Sequence, residues 1–306
     1  MSKNTKWVVL FAIVMLIYGA SQFFEQQKSN EFKSPLLAFL PEDVELIKIH
    51  EFGKTPFQLL KLDDKWFLSA DNVHELAQTD RVEQLMKLLK AIRTAKIISQ
   101  QESDWEKYEL KNEQGTLICI ETKKRQLPCI RLGLFRFSAE EKVLQTFARV
   151  DHEKEIYSIN GIGISNLSTN HNDYRNRQVL MISDSIQRIH FKTDSSLVAV
   201  QKWGNQWVDE ALKIQDSLRW ANTAKVFSSI QLNTFADDVD ELSIYEKKAA
   251  SVHLYTGKDS FLLNVFIDST FTKPYIIHSS QFPKTWMACD SNAFFQIIPQ
   301  SVWRKL

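Results

Sequence analysis

One short phrase occurs twice in this chain, and the repetition constrains its architecture more than any single residue does. Leu46-Ile47-Lys48-Ile49-His50 is followed, sixteen residues after its histidine, by Trp66; Ile186-Gln187-Arg188-Ile189-His190 is followed, seventeen residues after its histidine, by Trp207. Each Trp stands one residue beyond a two-residue turn, Asp63-Asp64 in the first case and Gly204-Asn205 in the second. A repeated strand-turn-strand phrase predicts two units of one design. A length of 306 residues suits two such units with an extension.

Around that phrase both halves read alike. In the first, Val44–His50 alternates as a strand, and Phe57–Leu62 with Lys65–Leu68 makes a hairpin. Asp80 and Glu83 have the spacing of a capping box, followed by Val82, Leu85, Met86, Leu89 and Ile92 on one helical stripe. Four further strands are expected near 117–122, 129–135, 146–150 and 155–159. In the second, a helix is expected after Asp216, with Leu218, Ala221, Ala224, Val226, Phe227 and Ile230 facing inward. Strands follow near 251–255, 261–267 and 274–278. The fold class expected is therefore α+β: two tandem repeats of a mainly antiparallel sheet, each with one main helix, over residues 41–180 and 181–306.

The N-terminus has a different character. Residues 7–24, from Trp7 to Phe24, carry no charge, and as a helix they would extend about 27 Å, enough for a hydrocarbon core. Lys3 and Lys6 precede the run without an acidic residue, a small positive-inside bias. The reading preferred is a signal anchor over 1–24 and a stem over 25–40, with the bulk of the chain outside the cytoplasm at the inner membrane. A cleaved signal peptide is the rival, opposed by bulky Tyr18 where a small residue is wanted. Three cysteines fit that compartment. If the Lys123-Lys124-Arg125 turn is centred on Lys124, Cys119 and Cys129 lie opposite each other on paired strands. A disulfide and a pair of small buried hydrophobes are both open to them.

Taken together, these features resemble a family of uncharacterised, membrane-anchored bacterial envelope proteins. The resemblance is carried by Leu62-Asp63-Asp64-Lys65-Trp66, Trp105-Glu106-Lys107-Tyr108-Glu109-Leu110, Leu132-Gly133-Leu134 and the Tyr174–Leu180 segment. Members are often encoded beside permease components of gliding-motility-type ABC transporters. The resemblance thus implies an envelope accessory role and no catalytic residues.

The chain offers no catalytic signature to set against this. Gly-x-Ser-x-Gly, His-Glu-x-x-His, Cys-x-x-Cys and Gly-x-Gly-x-x-Gly are all missing, so no catalytic, cofactor-binding or metal residue is assigned. Balanced charge, 38 basic against 37 acidic residues, argues against nucleic acid as partner. His50 and His190 occupy equivalent places beside Lys48 and Arg188, and a residue kept in both copies suits the build of the repeat. Trp66 and Trp207 are expected in the cores. Trp203, Trp220 and Trp286 are the candidates for stacking on a ligand or partner. Arg175, Arg177 and Arg304, near the unit ends, are candidates for an anionic partner, with ordinary salt bridges as the plainer account. The function expected is a membrane-anchored, non-enzymatic interaction module docking on a membrane protein complex such as an ABC-type transporter. A carbohydrate- or peptide-binding envelope protein is the alternative.

Overall fold

The computed structural model describes residues 35–298, apart from Asn72, Glu140 and Glu141, together with Met15 and Trp303. The chain divides into two compact units, Met1–Asn176 and Arg177–Leu306. Among the described residues no helix is long and apolar enough to cross a membrane. The apolar run 7–24, on which the anchor rests, lies outside the described residues save for Met15, which is helical and exposed.

In chain order the first unit contains β1 (Val44–Glu51), β2 (Phe57–Leu62), β3 (Lys65–Ala70), β4 (Val73–Leu76), helix α1 (Thr79–Lys90), β5 (Thr94–Ser99), β6 (Thr116–Thr122), β7 (Ile130–Ser138), β8 (Val143–Val150) and β9 (Ile156–Asn160). The nine strands form one antiparallel sheet in the order β4-β3-β2-β1-β6-β7-β8-β9-β5. Alternation decides its faces. Ile47 and Ile49 of β1, Leu59 of β2, Trp66 and Leu68 of β3, and Ile118 and Ile120 of β6 all point to one side. A bulge between Val44 and Leu46 brings Val44 onto that side as well. Helix α1 covers it with Val82, Leu85, Met86 and Leu89, the stripe expected from spacing. The start of α1 differs from expectation. It begins at Thr79, with Gln78 as N-cap and no side-chain cap, so Asp80 and Glu83 form no capping box. Instead the Gln78 N–H donates to the Tyr174 carbonyl at 2.7 Å, and its side-chain amide donates to the Arg175 carbonyl at 2.7 Å. The end of the unit thus holds the start of its helix.

The second unit contains β10 (Gln178–Met181), β11 (Arg188–Lys192), β12 (Leu197–Trp203), β13 (Gln206–Asp209), helix α2 (Ser217–Ser228), β14 (Ser229–Gln231), β15 (Thr234–Phe235), β16 (Lys248–Tyr255), β17 (Ser260–Ile267), β18 (Tyr275–Ser279), β19 (Trp286–Cys289) and helix α3 (Ser291–Ile297). Eight of its strands form an antiparallel sheet ordered β13-β12-β11-β16-β17-β18-β19-β15; β10 and β14 pair separately. With β4 set aside, the first sheet has the same order, strand for strand. Helix α2 is capped by the Asp216 carboxylate, which accepts from the Arg219 N–H at 3.0 Å. Its buried stripe is Trp220, Thr223 and Phe227; Phe227 faces inward as expected, but Leu218, Ala221 and Val226, expected beside it, are exposed. The Trp220 and Phe227 rings both contact Phe191 of β11, so the largest apolar areas set the helix phase.

Each sheet has a second, partly covered face. In the first unit the segment between β5 and β6 folds over the β7–β9 half. Tyr108 packs on Phe147 at 4.5 Å, and Leu110 is buried with Phe147 and Ile156. In the second unit the segment between β15 and β16 does the same: Ile244 is buried with Phe266, Ile276 and Trp286, and Tyr245 meets Phe266 edge-on. The fold is thus α+β, with two large sheets. Each unit has a helix on one face and a short cover on half of the other.

Candidate functional site

Two of the segments that carry the family resemblance meet in the structure, and their roles are architectural. Trp105–Leu110 is the cover of the first sheet, and Leu132-Gly133-Leu134 is the strand beneath it. The Leu134 N–H donates to the Tyr108 carbonyl at 3.0 Å. A Cβ on Gly133 would lie 2.1 Å from that carbonyl oxygen, so the two backbones approach where no side chain fits. Gly115, at φ +63°, is held as tightly, with the Leu132 carbonyl 2.3 Å from where its Cβ would be. Below the cover, Arg131 and Arg149 face each other across β7 and β8, only 6% and 5% exposed. Arg131 donates to the Gln114 carbonyl at 2.8 Å, and Arg149 to the Leu110 carbonyl at 3.3 Å. The Arg149 guanidinium lies 4.1 Å from the Trp105 ring centroid. Burial, then the neighbouring Arg149, lowers Arg131 from its ordinary value, while Asp151 pulls the other way. The two arginines bind the cover to the sheet. Tyr174 and Arg175 are structural too. Tyr174 packs on Phe57 at 5.4 Å, and Arg175, 1% exposed, is paired with the buried Glu75 at 2.5 Å.

Among the described residues, the other half of each outer face stays open, and the repeated histidines lie on it. In the second unit, β11 presents Arg188, His190 and Lys192 there, opposite Tyr255, His253 and Ser251 of β16. The Arg188 guanidinium lies 4.8 Å from the Tyr255 ring centroid, and the His190 and His253 rings stand 5.1 Å and 6.5 Å from it. Gln201 of β12 pairs with Arg188, and Trp203, two residues on and 64% exposed, shares its face. Burial, then His190, Lys248 and Lys192, lowers the His253 imidazole from its ordinary value. The face is therefore cationic and aromatic. In the first unit the same positions carry Lys48 and His50 on β1, opposite Cys119 and Leu117 of β6. They line a shallow depression of about 420 Å³ with Gln58 and Ser69. Cys119 and Cys129 are joined in a disulfide, with Cα atoms 4.3 Å apart. That bridge stands where the second unit has Tyr255.

The side chains singled out as contacts are thus scattered. Trp203 is exposed on the open face. Trp220 is buried against Phe191, and Trp286 is buried beneath Tyr245, stacked on His278 at 4.2 Å. Arg175 is buried on Glu75. These three present no free surface, and burying their large side chains is what fixes the layers. Arg177 is half-buried and reaches Asn233 at 3.5 Å. Arg304 lies outside the described residues. Sequence reasoning missed His253 and Tyr255 as partners of His190 and Arg188. Their strand joins β11 only across some sixty residues, and no local signal marks that pairing. The first unit also holds a cleft of about 760 Å³, lined by Glu51, Phe52, Glu109, Gln114, Phe135 and Thr169. Burial acts to raise the Glu51 carboxyl, but hydrogen bonds from Thr169 and Lys54 outweigh it and hold the group below its ordinary value. Among the described residues, no group of three or more His, Cys, Asp and Glu side chains is placed to hold a metal ion.

No curated protein and no solved structure matches this chain. Residues 66–249 match a family described as a domain of unknown function.

Proposed function

The chain belongs to the DUF4340 family, a domain of unknown function, and from that premise we propose that it is an extracytoplasmic interaction module. It is anchored in the inner membrane by residues 7–24 and docks on a membrane protein complex of the ABC-transporter kind. Its two units are copies of one ancestral module. The copying is supported by the eight-strand order common to both sheets and by the repeated strand-turn-Trp phrase.

The observation that carries docking is the open half-face of the second sheet, where Arg188, Tyr255, His253, His190 and Trp203 stand together with no covering segment among the described residues. Arginine and large aromatic side chains are the types enriched where proteins meet. The charge of Arg188, Lys192 and Lys248 selects an acidic partner surface. Tethering in the membrane would let a weak contact suffice.

The test is purification of the full chain in mild detergent, with identification of the proteins that accompany it, beside an Arg188→Glu/Tyr255→Ala variant. Permease or ATPase subunits should accompany the parent chain and be lost from the variant. Recovery of the same subunits with both would reject this face as the docking site, and recovery of none with either would reject the accessory role. A second reading, peptide binding, is favoured by the acidic cleft of the first unit, where Phe52 and Phe135 are exposed at the rim. Titration of the full chain with lysine-rich peptides decides it: binding abolished by Phe52→Ala supports that reading, and no binding removes it.

A further inference from the structure

The segment from Pro35 to Asp43 runs directly along a basic patch. Pro35 forms a β-bridge with Arg93, just beyond the C-terminal end of α1. The chain then passes Leu37, Phe39 and Leu40 to a 3-10 turn at Pro41–Asp43. There it meets the turn between β6 and β7: the Lys123 N–H donates to the Asp43 carbonyl at 2.9 Å, and Lys124 pairs with the Asp43 carboxylate at 3.1 Å. The walls enclose about 430 Å³. Lys90, Arg93, Lys124 and Arg125 line it, Asp43 is the one acidic residue among its described lining residues, and the adjacent Lys123 and Glu42 are exposed. Half-exposed Leu40 stands at the apolar rim.

We propose that this patch binds the anionic phospholipid headgroups of the membrane that residues 7–24 enter, and so holds the first unit against the bilayer surface. The inference rests on the anchor reading given above. Three features point to this occupant. Residues 25–34 can span at most about 35 Å, so the tether keeps the patch close to the surface. The local charge is positive and complements an anionic leaflet, whose attraction acts over about one Debye length, near 10 Å. Cations beside an exposed leucine are the pairing that suits an interface, with the apolar part toward the acyl chains and the charges among the phosphates.

The test uses the full chain reconstituted in nanodiscs of phosphatidylcholine alone and of phosphatidylcholine with 30% phosphatidylglycerol. Retention through a high-salt wash reports the anchor, and amide hydrogen exchange over residues 38–43 and 121–127 reports the patch. Expected are retention in both discs and exchange about fivefold slower in the anionic discs, since one cation near such a surface is worth about that factor. A Lys123→Glu/Arg125→Glu variant, which leaves the Lys124–Asp43 pair in place, should abolish the slowing, and Lys90→Glu should reduce it. Retention with equal exchange in both discs would overturn the patch and leave the anchor standing. Slowing that survives Lys123→Glu/Arg125→Glu would also overturn the patch. Loss of the chain from both discs would overturn anchor and patch together.

Discussion

At Gly133 the fit between strand and cover leaves no room for a methyl group. Gly133→Ala should cost about 2–4 kcal/mol in urea unfolding, because the obstacle is a backbone carbonyl and cannot rotate away. Gly257→Ala, where nothing lies within 4 Å of the new Cβ, should change stability by less than about 0.5 kcal/mol. Sequence alone exposes the Leu132-Gly133-Leu134 phrase but not its reason, since the carbonyl it admits comes from Tyr108, twenty-five residues earlier. Asp268 offers a pH test. Hydrogen bonds from Lys247 and Thr270 lower its carboxyl to about 2. A depressed carboxylate stabilises the fold above its unfolded value, near 3.9, and that contribution fades as pH falls toward 2. Lys247→Ala should therefore lower the Tm at pH 7 and leave it nearly unchanged at pH 2, as read by thermal melts across that range.

Elements differed in how plainly they could be read. Helix α1 was legible down to its buried stripe, because Val82, Leu85, Met86 and Leu89 leave one choice of face. Helix α2 was legible in its start and only in part in its phase: Phe227 lies on the buried side as spacing suggested, but Leu218 and Val226 do not, and Trp220 prevails over them through area. The contrast is measurable. Phe227→Ala should cost about 3–5 kcal/mol and Leu218→Ala less than about 0.5 kcal/mol in chemical denaturation. The cysteine pairing was legible as well, although the turn beyond it slips by one residue, with Glu121 opposite Gln126. The register Ile118↔Ile130, continued outward, sets Cys119 opposite Cys129, as a turn centred on Lys124 requires. Closing so short a loop stabilises by about 2–3 kcal/mol in the chain-entropy account. Cys119→Ala/Cys129→Ala should lower stability by that amount, with no effect on the parent chain's helix content by circular dichroism.

For the whole molecule, the recurring phrase was visible in sequence because Ile-His and its Trp lie within one local stretch. The pairing of β1 with β6 and of β11 with β16 was not, for it joins segments far apart in the chain. The open face inherits that blindness, since half of its side chains come from each strand. A docking contact made through Arg188 and Lys192 should weaken steeply with salt, about as screening of exposed charges requires. Pull-down at 50 mM and 500 mM NaCl would read this, and equal recovery would argue for an apolar contact. The sheet borders carry a different consequence. The first sheet ends in the four-residue β4 and in β5, which is broken by two bulges and bears Lys96; the second ends in β13, four residues long, and β15, two. Such borders are poor templates for another molecule's backbone. Copies crowded together would lack the straight ladder from which a fibril grows, so this β-rich chain should stay free of amyloid at concentrations where a long, flat margin would seed it.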